Sequence, residues 1–182
     1  MTGKIVWGIT GSGDLIIEVF EMMHQLAQDE NIKITAVLSK AAAKVVNWYK
    51  LTDQLAIISK KVLLEEDANT PFIIGPLQTK KYDCLLVAPA TANTVAKVVN
   101  GIADTLITNA ISQTNKTDVP IYILPVDQKK GTTTTILPNQ EKFELTMRDI
   151  DVENTARLKK MEGITTLTSP GEILSILRRL IT

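Results

Sequence analysis

The stretch Lys4-Ile5-Val6-Trp7-Gly8-Ile9-Thr10-Gly11-Ser12-Gly13-Asp14 decides how the chain is read. Ile5-Val6-Trp7 is an apolar run without helical period that ends in glycines. A helical pattern follows at once, with Leu15, Ile16, Val19, Phe20, Met23 and Leu26 at three- and four-residue spacing. Strand, glycine turn and helix together form the opening unit of an α/β nucleotide-binding domain. The physical basis is the helix N-terminus, which offers unpaired N–H groups and a positive dipole end to a phosphate. Gly11 and Gly13 would let the backbone approach that phosphate, and Ser12 adds a hydroxyl. The spacing G-x-x-G-x-G departs from the dinucleotide fingerprint G-x-G-x-x-G, and no Gly-Lys-Ser/Thr follows as in a P-loop. Taken alone, the turn fits a phosphate site and a tight strand-to-helix connection equally well.

At 182 residues the chain fits one domain, spanning 1–182, and is long enough to bury a full core. Its formal net charge is zero, which favours neither nucleic acid nor an anionic membrane as partner. No apolar run reaches the length of a membrane span and no signal peptide precedes the first strand, so a cytoplasmic location is expected. A single cysteine excludes internal disulfides and any iron–sulfur or zinc site ligated by several cysteines of one chain. Cys84 falls in an apolar strand pattern and reads as a small buried thiol. His24, the one histidine, falls in the first helix and reads as a surface or partly packed residue.

Along the chain, Ile32–Leu38 is a second β-rich run ending in Ser39-Lys40. A dinucleotide-binding fold places an acidic residue here for the ribose hydroxyls. A hydroxyl and a cation instead suit a further phosphate contact and a mononucleotide, although Ser39 is also a good N-cap for a helix over Ala41–Trp48. Residues 49–80 read less clearly: a helix over Leu51–Ser59, a short strand Val62–Leu64, then a loop into Pro71. Tyr82–Ala88 is a buried strand broken at Pro89. Ala90-Thr91-Ala92-Asn93-Thr94 leads into a helix ended by Asn100-Gly101. Asp104 or Thr105 caps another helix through Gln113, and Val119–Leu124 is the next strand. Beyond Pro125, Thr132–Leu137 and Phe143–Met147 form a hairpin arm (about 131–148) expected to project from the sheet. Helices over Asp151–Met161 and Ser169–Ile181 flank a last strand at Thr165–Leu167. The alternation predicts an α/β fold with a parallel, doubly wound sheet. Gly11-Ser12-Gly13, Ser39 and Pro89–Thr94 all fall at strand C-termini, where such sheets bind ligands.

Pro89-Ala90-Thr91-Ala92-Asn93-Thr94, followed by Asn100-Gly101-Ile102-Ala103-Asp104, resembles the Pro-Ala-Ser-Ala-Asn-Thr motif and its Asn-Gly-x-x-Asp sequel. That motif belongs to the homo-oligomeric flavin-containing cysteine decarboxylase superfamily. Thr91 replaces the serine and keeps the hydroxyl. Gly8–Gly13 and Ser39-Lys40-Ala41-Ala42 look like the same family's FMN phosphate elements. The resemblance implies a flavodoxin-like (Rossmann-type) three-layer αβα sandwich and an FMN cofactor at a subunit interface of a trimer or dodecamer. It implies cofactor contacts from Thr10, Gly11, Ser12, Gly13, Ser39, Lys40, Pro89, Ala90, Thr91, Asn93 and Thr94, with Gly11, Ser12, Gly13 and Ser39 on the phosphate. Ala90, Thr91, Asn93 and Thr94 would meet the isoalloxazine and ribityl chain.

The departures narrow the activity. The family's decarboxylases use a histidine between the second helix and the hexad, and none occurs between Val45 and Pro89. Their Pro-x-Met-x-x-x-Met-Trp clamp is replaced by Pro125-Val126-Asp127-Gln128-Lys129-Lys130-Gly131. The chain is more similar to the redox branch, the archaeoflavoproteins and dihydromethanopterin reductases. That branch implies an FMN oxidoreductase taking electrons from an iron–sulfur donor such as ferredoxin and passing them to a pterin or other acceptor. Asp127, Lys129 and Lys130 are candidates for the acceptor side. A cysteinyl decarboxylase-type lyase and a non-catalytic flavin-binding subunit are the alternatives.

Overall fold

Trp7 shows why the opening stretch organises the molecule. Its ring is fully buried, meets Phe20 edge-on at 5.0 Å, and its Nε1–H donates to the Ala88 carbonyl at 2.8 Å. A computed structural model describes residues 2–179. The first half runs β1 (Gly3–Ile9), α1 (Ile16–Ala27), β2 (Ile32–Leu38), α2 (Lys40–Trp48), α3 (Thr52–Ile58), β3 (Lys61–Leu64), α4 (Ile74–Gln78) and β4 (Cys84–Ala90). The second runs α5 (Ala92–Val99), α6 (Leu106–Thr114), β5 (Ile121–Pro125), β6 (Thr132–Ile136), β7 (Lys142–Thr146), α7 (Asp149–Leu158), β8 (Ile164–Thr166) and α8 (Glu172–Arg179).

Six strands form a parallel sheet in the order β3-β2-β1-β4-β5-β8. Strands covered on both faces read as continuous apolar runs, and β4 is buried at every position. One core layer joins Trp7, Phe20, Met23, Val46 and Leu177 beneath α1, α2, α3 and α8. The other joins Val6, Leu77, Val87, Val95 and Ile107 beneath α4, α5, α6 and α7. The result is the expected three-layer α/β sandwich with an added antiparallel hairpin, β6-β7.

Several local expectations are corrected. Leu15 is not helical: it sits at the N-cap of α1 with φ 59°, so the glycine turn runs one residue longer than the apolar spacing indicates. The fourth strand does not stop before Pro89 but continues to Ala90. Because proline has no N–H for the ladder, its pairing with β5 shifts register between Val87 and Ala90. α4 forms beyond the expected loop, over residues that the sequence left unassigned, its Ile74 and Leu77 packed into the second core layer. The last long helix begins at Glu172 rather than Ser169, and the expected end at Ile181 lies outside the described residues.

The hairpin also lies differently from expectation. It does not project away but bends over the strand ends, where the Tyr49 hydroxyl donates to the Ile136 carbonyl at 3.2 Å. Its position explains why Thr135 is buried in an otherwise exposed ribbon.

Cys84 is fully buried on β4, and that burial pushes its thiol well above the ordinary value. Thiol reagents are therefore expected to leave the native chain unmodified and to label one site after denaturation. Rapid labelling of the native protein, followed by mass spectrometry, would contradict the packing described.

Candidate functional site

The order β2-β1-β4 places the β1/β4 gap at the point where successive connections turn to opposite faces of the sheet. Such a gap opens a crevice beyond the strand C-termini. Thr10 fastens its floor. The Thr10 hydroxyl donates to the Pro89 carbonyl at 2.8 Å and accepts from the Thr91 N–H at 2.9 Å, while the Thr10 N–H reaches the same carbonyl at 3.3 Å. On the other side the Ser39 N–H donates to the Ile9 carbonyl at 3.1 Å. All three segments singled out in the sequence are thus brought to one crevice.

Gly11 is held against the start of α2. A Cβ on it would lie 2.5 Å from the Ala41 Cβ, and one on Gly13 would lie 2.5 Å from the Tyr49 hydroxyl. These glycines therefore allow close backbone approach at φ values open to other residues. Ser39 N-caps α2, its Oγ accepting from the Ala42 N–H at 3.0 Å, which leaves its own O–H free to donate. The backbone N–H groups of Gly11, Gly13 and Ala41 have no partner among the described residues. The Lys40 ammonium is likewise in no ion pair there. Converging free donors beside a cation form an anion cradle, and the residues present fit a phosphate monoester.

Ser12 behaves differently from the expected phosphate ligand. It is buried, its N–H donates to the Thr10 carbonyl, and its hydroxyl both accepts from and donates to the Asp14 backbone at 3.2 Å. The Thr10 hydroxyl is similarly engaged. Both shape the cradle, while the free donors come from the glycines, Ala41 and Ser39.

The hexad forms the opposite wall. Thr91 N-caps α5, its Oγ1 accepting from the Thr94 N–H at 3.2 Å. Asn93 is exposed, and its carboxamide is unpaired among the described residues. Ala90 and Thr94 are buried behind them. The crevice has two lobes that share Gly11, Thr91 and Asn93. One, of about 670 Å³, runs along Ser39, Lys40, Glu65 and Thr94. The other, of about 380 Å³, runs beneath Phe143, Leu145 and Met147 of the hairpin arm and past Asp127. Both lie in the size range of small-molecule sites.

Glu65 was missed by sequence reasoning. It follows β3, is buried, and its two carboxylate oxygens accept from the N–H groups of Lys40 at 3.0 Å and Leu106 at 2.9 Å. One carboxylate therefore caps α2 and α6 together and favours both positive dipole ends. The signal was an apolar strand run ending in Glu65-Glu66-Asp67. The second lobe also carries perturbed groups. Burial raises Asp127 above the usual carboxylate range, with Asp151 and Asp14 adding to the effect. Burial likewise raises Asp14, with Glu18 adding, against a lowering bond from the Leu15 N–H. Among the described residues no group of His, Cys, Asp and Glu could hold a metal ion.

Thr10→Val should leave the Thr91 N–H without its partner, leave the Pro89 carbonyl with only the longer bond from the Thr10 N–H, and lower unfolding free energy by about 1–3 kcal/mol. Glu65→Ala should cost a similar amount, about 1–3 kcal/mol, by leaving the N–H groups of Lys40 and Leu106 without their acceptor. Urea titration followed by far-UV circular dichroism measures both, and parental midpoints would refute the roles assigned.

The family model described as Flavoprotein matches residues 2–178. An uncharacterized protein of Methanocaldococcus jannaschii is 53% identical, covering 96% of this chain and 94% of its own length. The dihydromethanopterin reductase (acceptor) of the same organism is 44% identical over 91% of this chain and 72% of its own. Among solved structures, Burkholderia xenovorans DmrB, described as an FMN complex and a cubic protein cage for redox transfer, superposes with a TM-score of 0.82. It is 31% identical and covers 97% of this chain and 94% of its own. With the family model matching nearly the whole chain, the chain belongs to the Flavoprotein family.

Proposed function

We propose that the chain is an FMN-dependent oxidoreductase that takes electrons from an external iron–sulfur protein such as ferredoxin and delivers them to a pterin-type acceptor. The observation that carries this reading is the crevice itself. It has unpaired N–H donors, a free hydroxyl and a cation at one end, an unpaired carboxamide where its two lobes meet, and a slot beneath the apolar side chains of the hairpin at the other. That distribution matches a phosphate joined through a polyol to a flat ring. The names of the reductase relative and of the FMN-bound neighbour support the redox direction.

In this reading the N–H groups of Gly11, Gly13 and Ala41, the Ser39 hydroxyl and Lys40 hold the phosphate. Thr10 and Ser12 keep the loop in shape, and Pro89 and Ala90 form the floor. Thr91, Asn93 and Thr94 border the ribityl chain and ring. FMN, when bound, supplies the two-electron redox chemistry. The residues orient it, and the hairpin arm shields part of the slot from water. Two electrons and two protons added across one C=N bond of the acceptor leave a C–H and an N–H. Asp127 lines the hairpin-covered lobe, and Lys129 and Lys130, the latter paired with Asp149, follow it as candidates for the acceptor side. Cys84 is the sole cysteine of these 182 residues and is buried, so they cannot themselves ligate a multi-cysteine cluster.

The chain works as one flavin-binding unit in a homo-oligomer, trimeric or dodecameric, within the cytoplasm. Large exposed apolar side chains support the assembly: Trp48 is 55% and Phe72 73% accessible in the isolated chain. No described helix is long and apolar enough to cross a membrane.

The purified protein should be yellow, with a flavin spectrum that bleaches anaerobically on addition of reduced ferredoxin and returns with a dihydropterin. A colourless protein without FMN affinity would overturn the proposal. Ser39→Ala and Asn93→Ala should each weaken FMN binding by about 0.5–3 kcal/mol, read by flavin fluorescence titration. Parental affinity in both would refute the assigned contacts.

A further inference from the structure

β5 ends at Pro125, and each of the next three residues is fixed in place. The Val126 N–H donates to the Ala90 carbonyl at 3.1 Å, and the Asp127 carbonyl accepts from the Thr155 hydroxyl at 2.8 Å. The Gln128 carboxamide donates to the Pro125 carbonyl at 2.9 Å and to the Leu167 carbonyl at 3.2 Å. The Asp127 side chain is thereby carried on a rigid mount at the end of β5. It lines the lobe of about 380 Å³ that Thr91 and Asn93 also line, and those two border the ribityl chain and ring in the redox reading.

Among the described residues no group hydrogen-bonds to the Asp127 carboxylate, and neither of its oxygens is sealed from solvent. Arg148, the cation that acts on it, is committed to Asp151 through bonds of 2.7 and 2.8 Å. Lys130 pairs with Asp149 at 2.7 Å, and Lys129 is exposed on the loop. Asp14 and Tyr49 are the other titratable side chains of the lobe, while the hairpin and α5 contribute none to it. Burial raises the Asp127 carboxyl, Asp151 and Asp14 add to the effect, and Arg148 opposes it. A half-buried carboxyl open to a redox slot suits proton transfer, since incoming negative charge raises its proton affinity further.

We propose that Asp127 is the proton carrier of this site. Its carboxylate takes up one proton as two electrons arrive from the iron–sulfur donor. Its O–H then gives that proton to the acceptor nitrogen as a hydride reaches the adjacent carbon. The O–H electron pair stays on Asp127, the C=N bond becomes C–H and N–H, and the carboxylate is restored. The role rests on the redox reading and adds a residue to it.

The test reads the midpoint potential of bound FMN, not turnover. Full-length, FMN-loaded parent, Asp127→Asn, Asp127→Ser and Asp118→Asn are titrated anaerobically by spectroelectrochemistry from acid to alkaline pH. A carboxylate facing the ring disfavours added electrons. Both Asp127 variants should therefore raise the alkaline potential by at least about 30 mV, equivalent to about tenfold in a two-electron equilibrium. The difference should close as pH falls and the parental carboxylate protonates. Asp118 stands before β5, paired with Lys80, so Asp118→Asn makes the same charge change at the opposite end of that strand and should stay parental. The Asp127 side chain has no bond to lose, and FMN absorbance per chain confirms that each variant is loaded. Asp127→Ser keeps the test informative if Asp127→Asn fails to fold. Parental potentials at every pH in the loaded Asp127 variants, a pH-independent offset, or an equal shift in Asp118→Asn would overturn the inference and leave the redox reading intact. A parent without FMN affinity would instead overturn the redox reading itself.

Discussion

The Thr10 hydroxyl joins the ends of β1 and β4, and the site depends on that junction. Parallel strands diverge beyond their last ladder bond, and at β4 the divergence is aggravated because Pro89 offers no N–H. Thr10 answers both problems by donating to the Pro89 carbonyl and accepting from the Thr91 N–H. Trp7 secures the preceding residue through its bond to the Ala88 carbonyl. The glycine loop and the N-terminus of α5 are thereby held on opposite sides of one crevice, ahead of any ligand. Preorganisation of this kind reduces the ordering that binding would otherwise require.

Electrostatics divides the crevice into regions of different character. Near Gly11, Ala41 and Ser39, free donors and Lys40 favour an anion. Glu65 is placed so close to them only because both its oxygens are engaged by helix N–H groups. Its charge is answered by two dipole ends, and it orients the Ser39-Lys40 turn. Toward the hairpin, Asp14 and Asp127 are half-buried, and desolvation raises their carboxyls despite the Leu15 N–H beside the one and Arg148 near the other.

The hairpin arm shows how tertiary context recasts a local pattern. Its threonine-rich strands alternate as an exposed ribbon would, and four of the five β6 positions are at least partly accessible. Tyr49 and the crevice give the arm a surface to rest on, and Thr135 is buried as a consequence. Trp48, Phe143 and Leu145 stay largely exposed around the same lobe, an apolar rim at its mouth.

The sequence by itself determined the layer architecture and the location of the crevice. Apolar runs such as Leu85–Ala88 can only be central strands, helical spacing in Leu15–Leu26 can only cover them, and the Gly11–Gly13, Ser39 and Pro89–Thr94 segments fall at strand ends. The family resemblance added the flavin expectation through one short hexad. Only the tertiary structure decided which polar groups remain free. Ser12 and Thr10 look like ligands in the sequence but are engaged by the backbone, whereas the Ala41 N–H and Glu65 were invisible there. Hydrogen-bond saturation depends on partners far apart in the chain: Thr10 meets Pro89, and Glu65 meets both Lys40 and Leu106. Local periodicity reports which face of an element is buried, but it carries no information about which distant donor meets which acceptor.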